Sequence, residues 1–285
     1  MKKEGLIFTV VYPQALNFFK DFCASALAQT LMSFDVLVIN DGCEETFLKE
    51  ELCDLDYYII PAIGSPSKNR QQGINYAIKH GYTFLLLCDS DDTFLPQRYE
   101  RTITLFNSSG ADILACNLNI VDERLRPVIT DYFSDELPAD SKIEKSFIET
   151  KNIFGMSNTA LRVESLGDDV SIPETPIADW YLFTVLLNKG LNVFYTKESL
   201  VNYRQYASNL IGINCFDVPT FRKLSRLKAN HYRLLIEHGY SHYQNYLEDC
   251  EALSCIPDFE VEEIIANQLS IHKQPLWWQI VTKDY

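Results

Sequence analysis

Thr83-Phe84-Leu85-Leu86-Leu87-Cys88-Asp89-Ser90-Asp91-Asp92 is the stretch that decides the fold. Its first six residues are a nearly continuous apolar run, as expected of a central strand in a parallel sheet. Three carboxylates then follow within four residues. In an open parallel sheet, ligands bind just past the carboxyl ends of the strands. Left bare, these carboxylates would repel one another and raise their own pKa values. A bound divalent cation removes the problem. In extended backbone Asp89 and Asp91 point the same way, and their hard oxygens suit Mn2+ or Mg2+. The plainer alternative is that Asp89 or Asp92 caps the helix starting near Pro96, a task that needs only one of them.

The same alternation extends outward on both sides. Leu6–Val11, Val36–Ile39 and Tyr57–Ile60 read as strands, the second closed by the turn signal Asn40-Asp41-Gly42 and the third stopped by Pro61. Between them, Asn17–Gln29 and Arg70–His80 carry apolar residues at helical spacing. Pro96 suits the first turn of a further helix, and Ile113–Cys116 begins another strand. This order predicts an α/β fold, a Rossmann-like, mostly parallel sheet with helices on both faces. After Val121 the pattern loosens through Pro127, Pro138, Pro173 and Pro176. An apolar helix over Trp180–Leu187 follows, and from Pro219 onward the chain reads as helical. The boundaries predicted are a domain over 1–215, with halves 1–120 and 121–215, and a helical C-terminal extension over 216–285.

Composition narrows the function. The 285 residues are 47% hydrophobic and 13% aromatic, enough to bury a substantial core. A net charge of −14, with no basic run to offset it, argues against a nucleic-acid partner. The eight cysteines form no CxxC pair and no zinc-finger spacing, and they read as reduced thiols of a cytoplasmic protein. Lys2 and Lys3 precede a short apolar run that reads as a first strand rather than a signal peptide. No segment approaches the roughly 20 apolar residues that span a bilayer.

Five segments, in order, make a specific signal. These are Gln29-Thr30 with Phe34–Gly42, Arg70-Gln71-Gln72-Gly73-Ile74, Phe84–Asp92, Ala178-Asp179-Trp180, and Tyr203-Arg204-Gln205-Tyr206-Ala207-Ser208-Asn209. Over roughly residues 5 to 212 the chain resembles an inverting family 2 glycosyltransferase of the GT-A fold. The resemblance implies that 1–120 is a nucleotide-binding half and 121–215 an acceptor half. It implies a nucleotide-sugar donor, UDP-linked by preference, held by Val11, Tyr12, Asp41, Arg70, Asp89 and Ser90. Asp91, with Asp89, would bind the Mn2+ or Mg2+, and Asp179 would be the general base. Asn158, Trp180, Arg204 and Tyr206 are the candidates for acceptor or loop contacts. The acceptor expected is a glycan or lipid-linked glycan, in bacterial surface-polysaccharide or glycoconjugate synthesis.

The chain departs from the family pattern at Pro13, Gln71, Ala178 and Tyr206, the last in place of a usual histidine. Two rival readings stay open on the sequence. Asp89-Ser90-Asp91-Asp92-Thr93 also fits the DxDxT of a haloacid-dehalogenase-type phosphatase, with Asp89 as nucleophile and Gly167-Asp168-Asp169 as a later acidic motif. The departures also fit a non-catalytic nucleotide-sugar-binding relative. In the tail, Leu276-Trp277-Trp278-Gln279-Ile280 reads either as a buried terminal contact or as a peripheral touch on the inner membrane. The C-terminal helices are a candidate homodimer surface.

Overall fold

The computed structural model describes residues 3–206 and 216–282. Strands β1 (Gly5–Val11), β2 (Phe34–Asn40), β3 (Tyr57–Pro61) and β4 (Phe84–Leu87) pair in parallel in the order β3-β2-β1-β4. Every side chain of β4 is buried, which is why its sequence does not alternate. Helices α1 (Leu16–Leu27), α2 (Glu45–Glu51) and α3 (Pro66–Lys79) connect these strands. The sequence reading misses α2 because the helix is two turns long and buries only Leu48.

Helix α3 begins four residues before the predicted Arg70. Ser65 caps it by accepting the Lys68 amide, and Pro66 fills the first turn, where no N–H is needed. At Gly73 the helix approaches β1 so closely that a Cβ would lie 2.2 Å from the Phe8 ring. That contact sets Arg70, nearly one turn earlier, against the strand that leads to Tyr12.

The second half completes the sheet with β5 (Thr93–Phe94), β6 (Ile113–Val121), β7 (Pro127–Ile129), β8 (Ser141–Ile143), β9 (Thr159–Arg162) and β10 (Val193–Arg204). The order continues β4-β9-β6-β10-β5, with β7 on β6 and β8 on β10. β9 runs antiparallel between β4 and β6, whereas β6 and β10 are parallel. Helices α4 (Arg98–Ser109) and α5 (Ala178–Asn188) belong to this half. The N-cap of α4 is Gln97 and makes no side-chain cap, so neither Asp89 nor Asp92 is a capping residue.

Helices α6 (Val218–Glu237), α7 (Gln244–Leu253) and α8 (Asp258–Ile271) form the extension. The division expected at residue 215 falls outside the described residues. The buried face of α6 includes Lys228 and Tyr232, with Leu227 and Leu234 only partly covered. Trp180 of α5 explains this choice. Its indole lies between His231 of α6, 4.1 Å between centroids, and Trp278 of the tail, 5.3 Å away. Its Nε1 donates to the Ile148 carbonyl at 2.9 Å. Of the two readings of the tail, the structure takes the buried one: Leu276, Trp278 and Ile280 are all at most 5% exposed.

His231 gives the extension a pH-dependent stability. Among the described residues neither ring nitrogen has a hydrogen-bond partner, and burial, with help from the Lys228 charge, pushes its pKa down to about 3. The depressed value means the neutral ring is the native form. Its contribution is complete above the unfolded pKa near 6.5 and is lost as pH falls from there toward 3. Acidification from pH 7 to pH 5 is therefore expected to remove about 2 kcal/mol that His231→Phe does not lose. Denaturant midpoints of both proteins at the two pH values check this, and parallel losses would contradict it.

Candidate active site

The carboxyl ends of β2, β1 and β4 lie side by side and carry Asp41, Tyr12 and Asp89. They open on a cavity of about 800 Å³ whose lining includes Val10, Tyr12, Asp41, Arg70, Asp89 and Pro176. Strand alternation decides which side chains enter it. Val10 and Tyr12 line the cavity, while Val11, expected there, is fully buried and offers its carbonyl to the Asp41 amide at 2.8 Å. Ser90, also expected at the donor, is fully buried as well, and its hydroxyl donates to the Val10 carbonyl at 2.9 Å. It ties the ends of β1 and β4 together.

Asp41 is positioned by a residue that sequence reasoning missed. The Asn69 amide donates to Asp41 Oδ2 at 3.2 Å, while its Oδ1 accepts the backbone amides of Ile63 and Gly64. The available signal was the helix start at Ser65-Pro66, which puts Asn69 in the first turns rather than in a loop.

The acidic loop divides its three carboxylates. Asp92 is turned inward, where its oxygens accept the Arg204 amide at 2.7 Å and the Ser157 hydroxyl. Burial, followed by the nearby Asp91 and Asp89 charges, raises its pKa. Asp89 faces both the cavity and Arg70, whose guanidinium lies 3.7 Å away. Its pKa rises to about 6, chiefly through desolvation, with Arg70 opposing and Asp91 and Asp179 adding to the rise. Asp91 accepts the Tyr206 hydroxyl, which also shares a hydrogen bond with Tyr12. Burial and the bond to Asp91 push the Tyr206 phenol well above its ordinary pKa, so at neutral pH it serves as a donor.

Arg204 braces this loop. It is 1% exposed and donates from Nε to the Asp91 carbonyl at 2.7 Å and from a terminal nitrogen to Asp21 at 2.8 Å. A guanidinium so engaged behind the loop does not face an acceptor. The same correction applies to Asn158 and Trp180, both fully buried. Asn158 donates to the Cys116 and Ile153 carbonyls and accepts the Gly155 amide, which shapes the turn before β9. Trp180 makes the stack described above. Residues 207–209 of the expected loop lie outside the described residues.

A second, smaller cavity of about 140 Å³ adjoins the first and shares Arg70, Asp89 and Pro176 with it. Asp179 lines this chamber, together with Met156, Tyr203, Trp277 and Trp278. The N-cap of α5 is Ile177, which places Asp179 inside the first turn rather than at the cap. Burial raises the Asp179 pKa, against the Arg70 charge and the amides at the helix start.

A polar stripe along α3 holds the segment leading to Asp179. Ser67 donates to the Thr175 carbonyl at 2.8 Å, Gln71 accepts the Ile172 amide at 2.9 Å, and Asn75 accepts the Val170 amide at 2.8 Å. These residues are spaced four apart, so one helix face carries them all. Arg70 and Asp179 are thereby fixed by the same helix.

Among the described residues no group of three histidine, cysteine or acidic side chains could hold a metal by itself. Asp89 and Asp91 nonetheless fit a hard cation that takes one or two carboxylates from protein and the rest from phosphate oxygens and water. The inward turn of Asp92 leaves those two as the candidate ligands.

The open sheet and its acidic strand end define the GT-A architecture. Residues 7–166, more than half of the chain, match Glycosyl transferase family 2, and the chain belongs to that family. The match runs through Asp41, Arg70 and the acidic loop, and it overturns the phosphatase reading of Asp89. In agreement, Gly167-Asp168-Asp169 is exposed beyond β9 rather than gathered at the site.

Among solved structures the fold is similar to S. aureus TarS 1-349 in complex with UDP-GlcNAc. That structure is 17% identical over 95% of this chain and 82% of that one, with a TM-score of 0.60. It is also similar to the mannosyltransferase PcManGT from Pyrobaculum calidifontis in complex with GDP-Man and Mn2+. There the identity is 12% over 96% of this chain and 81% of that one, and the TM-score is 0.58. A comparison with curated protein sequences gives no match.

Proposed function

We propose that the chain is an inverting glycosyltransferase that moves a sugar from a nucleoside-diphosphate sugar to an acceptor hydroxyl. The observation that carries this reading is the junction of the two cavities. Asp89 and Arg70 line both, Asp41 and Tyr12 lie on one side, and Asp179 lies on the other. The larger cavity has the size of ligand sites in general and would take the nucleoside diphosphate, with Asp41 and Tyr12 at the base. The smaller one would take the reacting sugar.

In that pose Asp179 accepts the proton of the acceptor hydroxyl as its oxygen bonds to the anomeric carbon. The bond from the anomeric carbon to the diphosphate oxygen breaks, and the nucleoside diphosphate leaves with the electron pair. Attack from the face opposite the leaving group inverts the anomeric centre. Arg70 supplies positive charge beside the departing diphosphate in an otherwise acidic protein. A divalent cation bound at Asp91 and Asp89 would neutralise the same charge. Desolvation of Asp179 suits its task, because a raised pKa makes a carboxylate a stronger base near neutral pH.

TarS is solved with UDP-GlcNAc and PcManGT with GDP-Man and Mn2+, which supports a nucleotide-sugar donor, and UDP-sugars are the first to test. A glycan or lipid-linked glycan acceptor and surface-polysaccharide synthesis in the cytoplasm follow from the family reading. Among the described residues no helix is long and apolar enough to cross a membrane. The test is release of nucleoside diphosphate from UDP- and GDP-sugars with Mn2+ present. Release from one donor class, stimulated by an oligosaccharide acceptor, supports the reading. No release from any donor, with a phosphatase substrate turned over instead, overturns it.

A further inference from the structure

The tail returns to the active site, and nothing in the motifs explains why. Trp277 and Trp278 line the 140 Å³ chamber together with Asp179, Arg70 and Asp89. The anchoring of this segment is unusually dense. The Tyr132 hydroxyl donates to the Pro275 carbonyl at 2.9 Å, and the Asn152 amide donates to the Trp277 carbonyl at 2.9 Å. Lys228, buried in α6, donates to the carbonyls of Thr150, Trp278 and Val281 at 2.6, 3.3 and 2.7 Å. Burial pulls that lysine's pKa down to about 8.

Trp278 has a φ of +73°, a conformation that a bulky side chain holds only where its surroundings impose it. Such strain gathers at ligand clamps. Gly155 completes the arrangement, because a Cβ there would lie 2.8 Å from the Trp277 ring. The turn before β9 thus leaves room for that indole and for nothing larger at position 155.

We infer that Trp277 is a specificity-determining residue whose indole packs against the ring of the donor sugar beside Asp179. This rests on the transferase reading. The chamber, at about 140 Å³ against about 800 Å³ for the cavity beside it, is on the scale of a single sugar ring rather than a nucleotide. Its walls also suit a sugar. A pyranose has a C–H face that packs on an aromatic ring, while its hydroxyls hydrogen-bond to groups such as Asp89, Arg70 and Asp179. Apolar lining with a few convergent polar groups is the general form of small-ligand sites. Trp277 itself is only partly buried and touches Phe133 and Tyr203 edge-on or tilted, at 5.5 and 6.0 Å. Trp278, which also borders the chamber, is buried and stacked on Trp180 and acts as a positioning residue.

The experiment is calorimetric titration of UDP, UDP-GlcNAc, GDP and GDP-mannose, with Mn2+, into wild type, Trp277→Ala, Trp277→Phe and Gly155→Ala. Thermal unfolding of each variant confirms that it is folded. For the base that binds, Trp277→Ala is expected to weaken the nucleotide sugar about ten-fold, with less than about two-fold change for the bare nucleotide. Trp277→Phe recovers most of the loss, and Gly155→Ala, which displaces the indole without removing it, reproduces the loss in part. Unchanged nucleotide-sugar affinity in Trp277→Ala overturns the inference and leaves the transferase reading intact. Equal weakening of nucleotide and nucleotide sugar also overturns it, by making the tail a general support. A wild type that binds no nucleotide removes the transferase reading and the inference with it.

Discussion

Asp179→Asn is expected to lower kcat by about a hundred- to ten-thousand-fold, the range for loss of a positioned general base. Asparagine keeps the size and the place in the first turn of α5 but cannot accept the proton. Nucleotide binding should stay near its wild-type value, because Asp179 lies in the smaller chamber and the nucleotide cavity does not include it. The pH profile carries a second signature. Burial raises the Asp179 pKa above the ordinary carboxylate value, so the wild-type rate falls as pH drops through that raised pKa and the base becomes protonated. The residual activity of Asp179→Asn should lose the part of this acid limb that Asp179 sets and keep only the part set by Asp89, whose pKa is also raised. Steady-state rates across pH 4 to 8 on both proteins check it. A variant retaining most of its kcat would assign the base elsewhere.

The second large effect is expected at Asp91. Asp91→Ala should lose Mn2+-dependent nucleotide affinity by about a hundred-fold or more, because one of only two candidate carboxylate ligands is gone. The same substitution removes the carboxylate to which the Tyr206 hydroxyl donates. Asp92 cannot take over: the Arg204 amide and the Ser157 hydroxyl hold its oxygens inside the fold. Binding isotherms with and without Mn2+, alongside a thermal melt, separate lost metal affinity from lost folding. Unchanged metal dependence would remove Asp91 from the ligand set.

Much of this was legible in the residues. The apolar runs before Asp41 and Asp89 announced central strands, and strand ends in parallel sheets are where ligands bind. Arg70 and Asp179 were singled out through motif context; Arg70 lines both cavities and Asp179 the smaller one. Other positions were misplaced for identifiable reasons. Val11 and Val10 differ only in strand parity, which a run of apolar residues does not reveal. Asn158, Trp180 and Arg204 are polar or aromatic side chains near motifs, yet their hydrogen bonds and stacks are all internal. Short β9 escaped because Thr159–Arg162 has no period of its own, and its partners β4 and β6 lie more than forty residues away. The role of Trp277 was invisible for the same reason, since only the folded chain brings the tail beside Asp179.

The measurement that tests the central claim most directly is titration of UDP and GDP into the wild-type protein with and without Mn2+. Saturable binding of one nucleotide, strengthened by Mn2+, is the result a donor site at Asp41, Arg70, Asp89 and Asp91 requires. No binding of either nucleotide under either condition would contradict it and take the transferase chemistry from this site.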